Sequence, residues 1–393
     1  MVNLTTANNA LKTVYLDVVD NLLNLSTNPL FAKIKKTTEG VTGKEINVCV
    51  PYGVNGGIAA LKETGVLPTS GNNSYLNFTT TLKNLYGRIE ISDKAVRASQ
   101  NSAGAFVNLL NDEMEGLVKS SAVNLSRMIY SDGIGLITEI KAISADGLTL
   151  TVDSVNAIYE GMIFDVIDYT ANNVPNDSKG RRIVSIDRVN KTVTVDSKLT
   201  LQYLAEGGFN IGVQNSYKNE ITGVLALFNN NITTLYGVKK SENGFMKGRS
   251  YNDIGDLTDI KILEKIDDVE ESTSAKVNFI SCSSSVRRKY QSLLIEGNRN
   301  VNMIDLGNGF KALDFYGIPM VSDKFVPENS MYLLDTDCFT LHQMCDWEWL
   351  ADESGNVLSQ KSDYPVYTAT LVKYADMICR CPNGQTWLKG ITV

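Results

Sequence analysis

The sequence predicts an α+β protein in which an extended arm, one long helix and a small inserted β module are set into a mixed α/β body. Three observations carry that prediction. Residues 48–90 spread glycine, asparagine and threonine between short apolar pairs and hold little core material. Over 103–131 the apolar residues recur at helical spacing. After Gly135 the pattern switches to alternation, in short segments separated by turns.

Leu11, Val14, Tyr15, Val18, Leu22 and Leu25 follow a helical period that Asn28-Pro29 ends. Lys33, Lys35 and Lys36 then form a small basic cluster, the pattern of a solvated face or of a contact with a neighbour or packaged nucleic acid. Residues 45–50 alternate as a strand up to Pro51. The arm follows, with Tyr75, Leu76, Phe78, Leu82, Leu85, Tyr86 and Ile89 as its apolar content and a turn-rich tip at 67–73, LPTSGNN. A two-stranded ribbon with so little apolar surface is marginal alone in water. The arm is therefore expected to be disordered or to lie on another subunit.

Ser92-Asp93 is a helix start signal, and Asn101-Ser102-Ala103-Gly104 a candidate interruption. Beyond it Phe106, Leu110, Met114, Leu117, Ser121, Leu125 and Met128 share one helical face, giving a rod of about 43 Å that Asp132-Gly133 terminates. Residues 136–143, 148–152, 162–169, 182–187 and 193–196 read as short strands of a small barrel or sandwich occupying 134–214. The remainder reads as mixed α/β. It has helices at 257–269 and 284–296, buried strands at 277–282 and 331–334, and a largely alternating stretch at 364–381.

Composition excludes several function classes. Of 393 residues, 43% are hydrophobic and 21% charged, a globular balance. A net charge of −7 argues against a dedicated nucleic-acid binder. No run approaches the roughly 18 apolar residues that span a bilayer, and the N-terminal segment lacks the basic and apolar regions of a secretory signal. Six cysteines without dense spacing read as reduced thiols. There is no phosphate-binding glycine loop, no GxGxxG after a strand and no GxSxG elbow. The serines of 281–285 read as a strand end followed by a helix cap. One constellation suggests chemistry. Cys338, His342 and Cys345, in CFTLHQMC, would share a face if helical, with Cys379 or Cys381 as a fourth metal ligand. The spacing is irregular for zinc, and Phe339, Leu341, Met344 and Trp347 surround it with core material. No catalytic, cofactor-binding or metal site is assigned, and no cofactor is expected.

The order of parts resembles the major capsid protein of tailed phages, the Hong Kong 97-type fold. TTTLKNLYGRIEIS (79–92) is similar to the return strand of that family's E-loop entering its spine helix. IYSDG (129–133) is similar to the helix end before the axial domain, and FYGIPMVSD (315–323) to a late axial segment. The final stretch 374–391 is similar to the last peripheral strand pair. The resemblance implies an N-terminal arm at 1–45, an E-loop with flanking peripheral strands at 46–91 and a spine helix at 92–133. It further implies an inserted β-barrel at 134–214, an axial domain at 215–362 and a return to peripheral strands at 363–393.

On that resemblance the protein is a structural, non-enzymatic shell subunit. It would self-assemble as hexamers and pentamers into an icosahedral phage head around double-stranded DNA, contacted non-specifically on the inner face, with no membrane partner. The intersubunit contacts would come from the arm and its flanks. Tyr75, Leu76, Phe78 and Tyr86 would be apolar anchors, and Lys62, Glu63, Lys83 and Arg88 would set the register. Only about 45 residues precede the E-loop, which implies a separate scaffolding protein alongside a portal, with assembly in the host bacterial cytoplasm. Some relatives cross-link a lysine of the loop to a neighbour's asparagine. Lys62 and Lys83 are available, but no partner asparagine or acid can be placed and no cross-link is predicted. The alternatives are an encapsulin-like nanocompartment shell, a tail or adhesin protein, and a cytosolic metal enzyme using Cys338, His342 and Cys345.

Overall fold

A computed structural model describes residues 28–94, 103–199, 208–297, 302–307, 310–351, 355, 357–361 and 363–393, with 103–112 described by their backbone. The helical reading of Leu11 to Leu25, the Asn101-Ser102 interruption and the side chains of Phe106 and Leu110 lie outside what is described. Two sheets, one long helix and one barrel organise the rest.

A five-stranded sheet forms around Val366–Cys379, a strand that alternates in sequence and is buried along most of its length. Lys83–Ser92 pairs with it antiparallel on one edge, from Lys83↔Ala375 to Ser92↔Val366. Phe339–Trp349 lies on the other edge, with Lys35–Thr37 parallel beyond it. The strand Lys83–Ser92 turns Leu85, Gly87, Ile89 and Ile91 inward, and the long helix Ala103–Tyr130 packs there. Gly87 eases that approach, because a Cβ on it would sit 3.0 Å from the Leu117 side chain and force it to shift. Lys373 is fully buried in this sheet, and its Nζ donates to Gln343 Oε1 at 2.7 Å and Asp346 Oδ1 at 2.6 Å. Lys36, from the basic cluster, pairs with the same Asp346 at 3.2 Å.

The helix buries Met114, Val118, Ala122, Leu125, Met128 and Ile129. Val118 and Ala122 take positions that the sequence reading gave to Leu117 and Ser121, a small rotation of the same face. Gly133, at φ +82°, turns the chain out of the helix as Asp132-Gly133 predicts.

The alternating segments close into a six-stranded barrel made of Thr138–Ile143, Thr149–Val152, Ile163–Asp168, Arg181–Asp187, Thr192–Val195 and Phe209–Val213. Alternate residues such as Leu150, Val152, Phe164, Val166, Ile183, Val193 and Ile211 fill its own separate core. Entry and exit meet at the helix end. Lys218 N donates to Ile134 O at 2.7 Å and Val224 N to Ile129 O at 2.7 Å. The junction is fastened by a buried ion pair. Arg127 Nη1 donates to Glu220 Oε2 at 3.0 Å, Nη2 to Glu220 Oε1, and Nε to Asn124 Oδ1 at 3.1 Å.

A seven-stranded mixed sheet runs in the order Arg249–Tyr251, Thr386–Leu388, Met331–Leu334, Phe279–Cys282, Ile318–Ser322, Lys311–Phe315, Met303–Asp305. Its central strands are buried on both faces, so they read as continuous apolar runs. Ile280, Cys282, Met331 and Leu333 face the helices Asp259–Ser272 and Ser284–Glu296. Phe279, Tyr332 and Leu334 face the body, where Tyr332 stacks on Tyr130, Phe228 and Trp387. Ser283 caps the second helix by accepting from Val286 N, which is the role the serine run suggests.

The division expected at 362/363 does not follow the sheets. Phe339–Trp349 lies in the five-stranded sheet, whereas Thr386–Leu388 returns to the seven-stranded one and Ile391–Thr392 pairs with Gly255–Asp256. The chain leaves the seven-stranded sheet for this strand pair and then returns to it, which sequence position alone does not reveal. Among the described residues no helix is long and apolar enough to cross a membrane.

Glu220→Ala should leave Arg127 buried without its acid. We expect a loss of about 3–5 kcal/mol in denaturant unfolding, and a much smaller loss for an exposed pair such as Glu242→Ala.

Candidate functional site

The arm has two parts with opposite environments. Its stem is the antiparallel pair Glu45–Tyr52 and Ser74–Thr81, in register from Glu45↔Thr81 to Tyr52↔Ser74. Period-two alternation turns Ile46, Val48 and Val50 to the same side as Leu76 and Phe78. That side is seated on the protein's own body. Phe78 is fully buried and stacks on Tyr236 at 5.5 Å and Phe245 at 6.4 Å, while Tyr52 stacks on Phe245 at 5.4 Å. Thr79 N donates to Tyr236 O at 2.9 Å. The expectation that the whole arm lacks its own support is thus corrected, because Ile46, Val50 and Phe78 belong to the protein's largest core.

The tip, residues 53–73, is different. It has no strand or helix. Val54, Ile58, Val66 and Leu67 are 91%, 86%, 91% and 82% exposed, and Leu61 is 48% exposed. Its two sides touch at Gly57 and Gly71, where a Cβ on Gly71 would lie 2.5 Å from Gly57 N. Only glycine allows the backbones that close. Gly65 N donates to Lys62 O at 2.9 Å and makes the outermost turn.

At the root the arm is bolted to the sheet by a buried carboxylate. Asp376 is fully buried in Val366–Cys379. It accepts from Thr80 Oγ1 at 2.6 Å, Thr222 N at 2.8 Å, Thr222 Oγ1 at 3.3 Å and Met377 N at 2.9 Å. One side chain so joins the arm, the segment leaving the barrel and the main sheet. Burial pushes its carboxyl above the usual carboxylate range, while these bonds and nearby Lys83 pull the other way. His342 is its cross-strand partner. His342 Nδ1 donates to Glu39 O at 2.8 Å in the neutral tautomer that leaves Nε2 as an acceptor, and Nε2 is buried with no partner among the described residues. Burial, and then Arg380, hold the imidazole below its ordinary pKa, against the Glu39 carbonyl and Asp376.

The residues singled out from sequence therefore separate. Lys62 and Glu63 are exposed on the tip and have no ion-pair partner among the described residues. Tyr75 is 58% exposed on the outer side of the stem, and Leu76 is half-buried on its inner side. Phe78 is spent inside its own chain and is not free to anchor a neighbour. Lys83, Tyr86 and Arg88 lie in the main sheet, not on the projection. Tyr86 meets Tyr374 edge-on at 6.1 Å and Arg88 pairs with Glu90 at 2.8 Å. Val54, Ile58, Leu61, Val66 and Leu67 were missed, since isolated apolar residues in a glycine-rich stretch carry no periodicity. Asp376 and Tyr236 gave no local signal either.

The metal alternative loses its geometry. CFTLHQMC is not helical, because residues 339–345 lie in the strand Phe339–Trp349 and its register shifts between Gln343 and Cys345. Cys338 sits in a short turn before it and donates to Asp335 Oδ2 at 3.3 Å. Among the described residues no three His, Cys, Asp or Glu side chains gather as a metal site.

No protein-family model and no curated protein sequence matches the chain. Solved structures do. A chain of the cyanophage A-1(L) capsid asymmetric unit aligns with a TM-score of 0.52 at 12% identity, covering 94% of this chain and 92% of that one. A capsid chain of Myoviridae phage XM1 aligns at 0.46 and 8% identity, over 93% and 92%. An encapsulin complex from Synechococcus elongatus aligns at 0.46 and 8% identity, over 93% and 89%. The first of these defines the class. The chain has the fold of a phage capsid protein, over more than nine-tenths of both chains in the comparison.

As pH falls below about 6.5, the unfolded chain takes up a proton on its histidine before the folded chain does, so stability drains away toward the lower folded pKa. His342→Asn should make denaturant stability less sensitive between about pH 7 and about pH 5 than in the wild type. An unchanged slope would remove His342 from the arm root's proton balance. Asp376 has the opposite sign. Its ionisation costs stability as pH rises, so Asp376→Asn should gain relative to wild type from acid toward neutral pH.

Proposed function

We propose that the protein is the major subunit of an icosahedral phage shell, built as hexamers and pentamers of this one chain and enclosing double-stranded DNA. The observation that carries this reading is the tip. A stem anchored by Phe78 and Asp376 holds four apolar side chains almost wholly in water and Leu61 about half so, with little to cover them among the described residues. A second copy is the partner that makes such a projection stable, and one arm reaching onto the next body is a heterologous contact of the kind that closes into rings. The likeness to a cyanophage capsid chain supports the same reading.

In this reading the fold is of the Hong Kong 97 type. The projecting ribbon is its E-loop, the helix Ala103–Tyr130 its spine, and the five-stranded sheet its peripheral domain. The seven-stranded sheet is the axial domain and the barrel an insertion. Val54, Ile58, Leu61, Val66 and Leu67 supply the apolar contact, with Lys62, Glu63 and Tyr75 beside them. Scaffolding and portal proteins would be further partners, and the net charge of −7 suits a wall that does not cling to packed DNA.

Because Tyr52 faces Ser74 across the stem, residues 53–73 can be replaced by Asn-Gly, a two-residue hairpin turn. The shortened chain should keep its thermal midpoint within a few degrees and remain unassembled in light scattering and negative-stain microscopy. Under the same conditions the full chain should form shells, with scaffold if required. Normal shells from the shortened chain would refute the arm as the assembly element.

A further inference from the structure

A cleft of about 430 Å³ opens between the helix Ser284–Glu296, the hairpin around Lys311–Phe315 and the loop after Ile318–Ser322. Arg287, Lys311, Lys324, Gln291, Ser284 and Ser322 supply its polar lining. Arg287 is half-buried. Its guanidinium has neither a hydrogen-bond acceptor nor an acid among the described residues, and its Nε is shielded from water. A shielded guanidinium N–H without an acceptor is costly, and native proteins seldom leave one so. Lys311 is exposed at the rim. Asp305, opposite it across the strand pair, accepts from Gly307 N and forms no ion pair with it. Lys324 is drawn partly aside, over the rings of Tyr159 and Phe325 at 5.1 and 5.0 Å.

Asp323, the one acid lining the cleft among the described residues, forms no ion pair with these cations. Asp323 accepts from Asn28 Nδ2 at 3.0 Å and Phe325 N at 3.0 Å. Burial pushes its carboxyl up, toward the neutral form. Arg287 also stands at the end of the first turn of a 13-residue helix, with Arg288 just after it, near the end where the dipole disfavours cations. Every one of these imbalances has the same sign, and an anion corrects it.

We infer that this cleft binds a phosphate group, with Arg287 as its principal ligand. The planar guanidinium fork matches two phosphate oxygens, Lys311 adds charge from the rim, and the Ser284 and Ser322 hydroxyls can donate to the others. A tetrahedral oxyanion uses donors from several directions, as this lining offers, whereas a flat carboxylate has only two oxygens. The inference stands apart from the shell reading. The phosphate could be a free ion or one link of a nucleic-acid backbone, and the chemistry is the same.

The test is isothermal titration of the purified full-length chain with sodium phosphate at low ionic strength, against sodium chloride of equal ionic strength. Saturable binding specific to phosphate is expected. Arg287→Gln should weaken it by about tenfold or more, the scale of one lost charge-assisted contact, and Lys311→Gln less. Lys311 is exposed, so its variant also serves should Arg287→Gln fold poorly. A short duplex DNA that displaces phosphate in wild type but not in Arg287→Gln would identify a backbone phosphate as the source. Displacement by free phosphate analogues alone would identify a small ion. No saturable binding, or binding that both variants retain in full, overturns the assignment.

Discussion

Val54, Ile58, Leu61, Val66 and Leu67 stand in water at the end of a ribbon that the rest of the molecule holds firmly. Covering them would release on the order of 10 kcal/mol per arm at the usual worth of a buried aliphatic side chain, before the cost of ordering the tip. Among the described residues little covers the tip, and the stem's inner side is already seated on Tyr236 and Phe245. In the proposed shell another copy covers this surface, and the remaining architecture presents it.

Presentation depends on the arm's root. Leu82 separates the stem from the sheet strand Lys83–Ser92, so the chain passes from arm to body within one residue. Asp376 ties both to the segment leaving the barrel. Arg127 and Glu220 tie that segment in turn to the long helix. A load on the arm reaches the helix and the barrel through two buried polar junctions, not through a loose hinge. Buried charges of this kind add little net stability compared with apolar packing, but removing one partner is costly. They fix geometry, which the proposed shell would require of its subunit.

How much of this could be read from sequence varied with the range of the interaction. The long helix was legible because Met114, Leu125 and Met128 recur at its period, and the barrel strands because Leu150, Val152, Val193 and Val195 alternate. The central strands Phe279–Cys282 and Met331–Leu334 were legible as short apolar runs. The arm was legible as an irregular stretch between two periodic ones. What sequence could not show was long-range pairing. Phe78 looked like a free anchor, but its cradle lies more than 150 residues away at Tyr236 and Phe245. His342 and the cysteines around it looked like helical ligands because a spacing of four suits helix and strand alike. Asp376 is one carboxylate among many until the fold brings Thr80 and Thr222 to it.

The central claim is that the tip finds its cover only on another copy. Hydrogen–deuterium exchange of peptides spanning residues 53–73, compared in the unassembled chain and in assembled particles, tests it most directly. The account predicts near-intrinsic exchange in the free chain and strong protection after assembly, with the stem strands protected in both. Protection of the tip in a monodisperse monomer, or rapid exchange within intact particles, would contradict it.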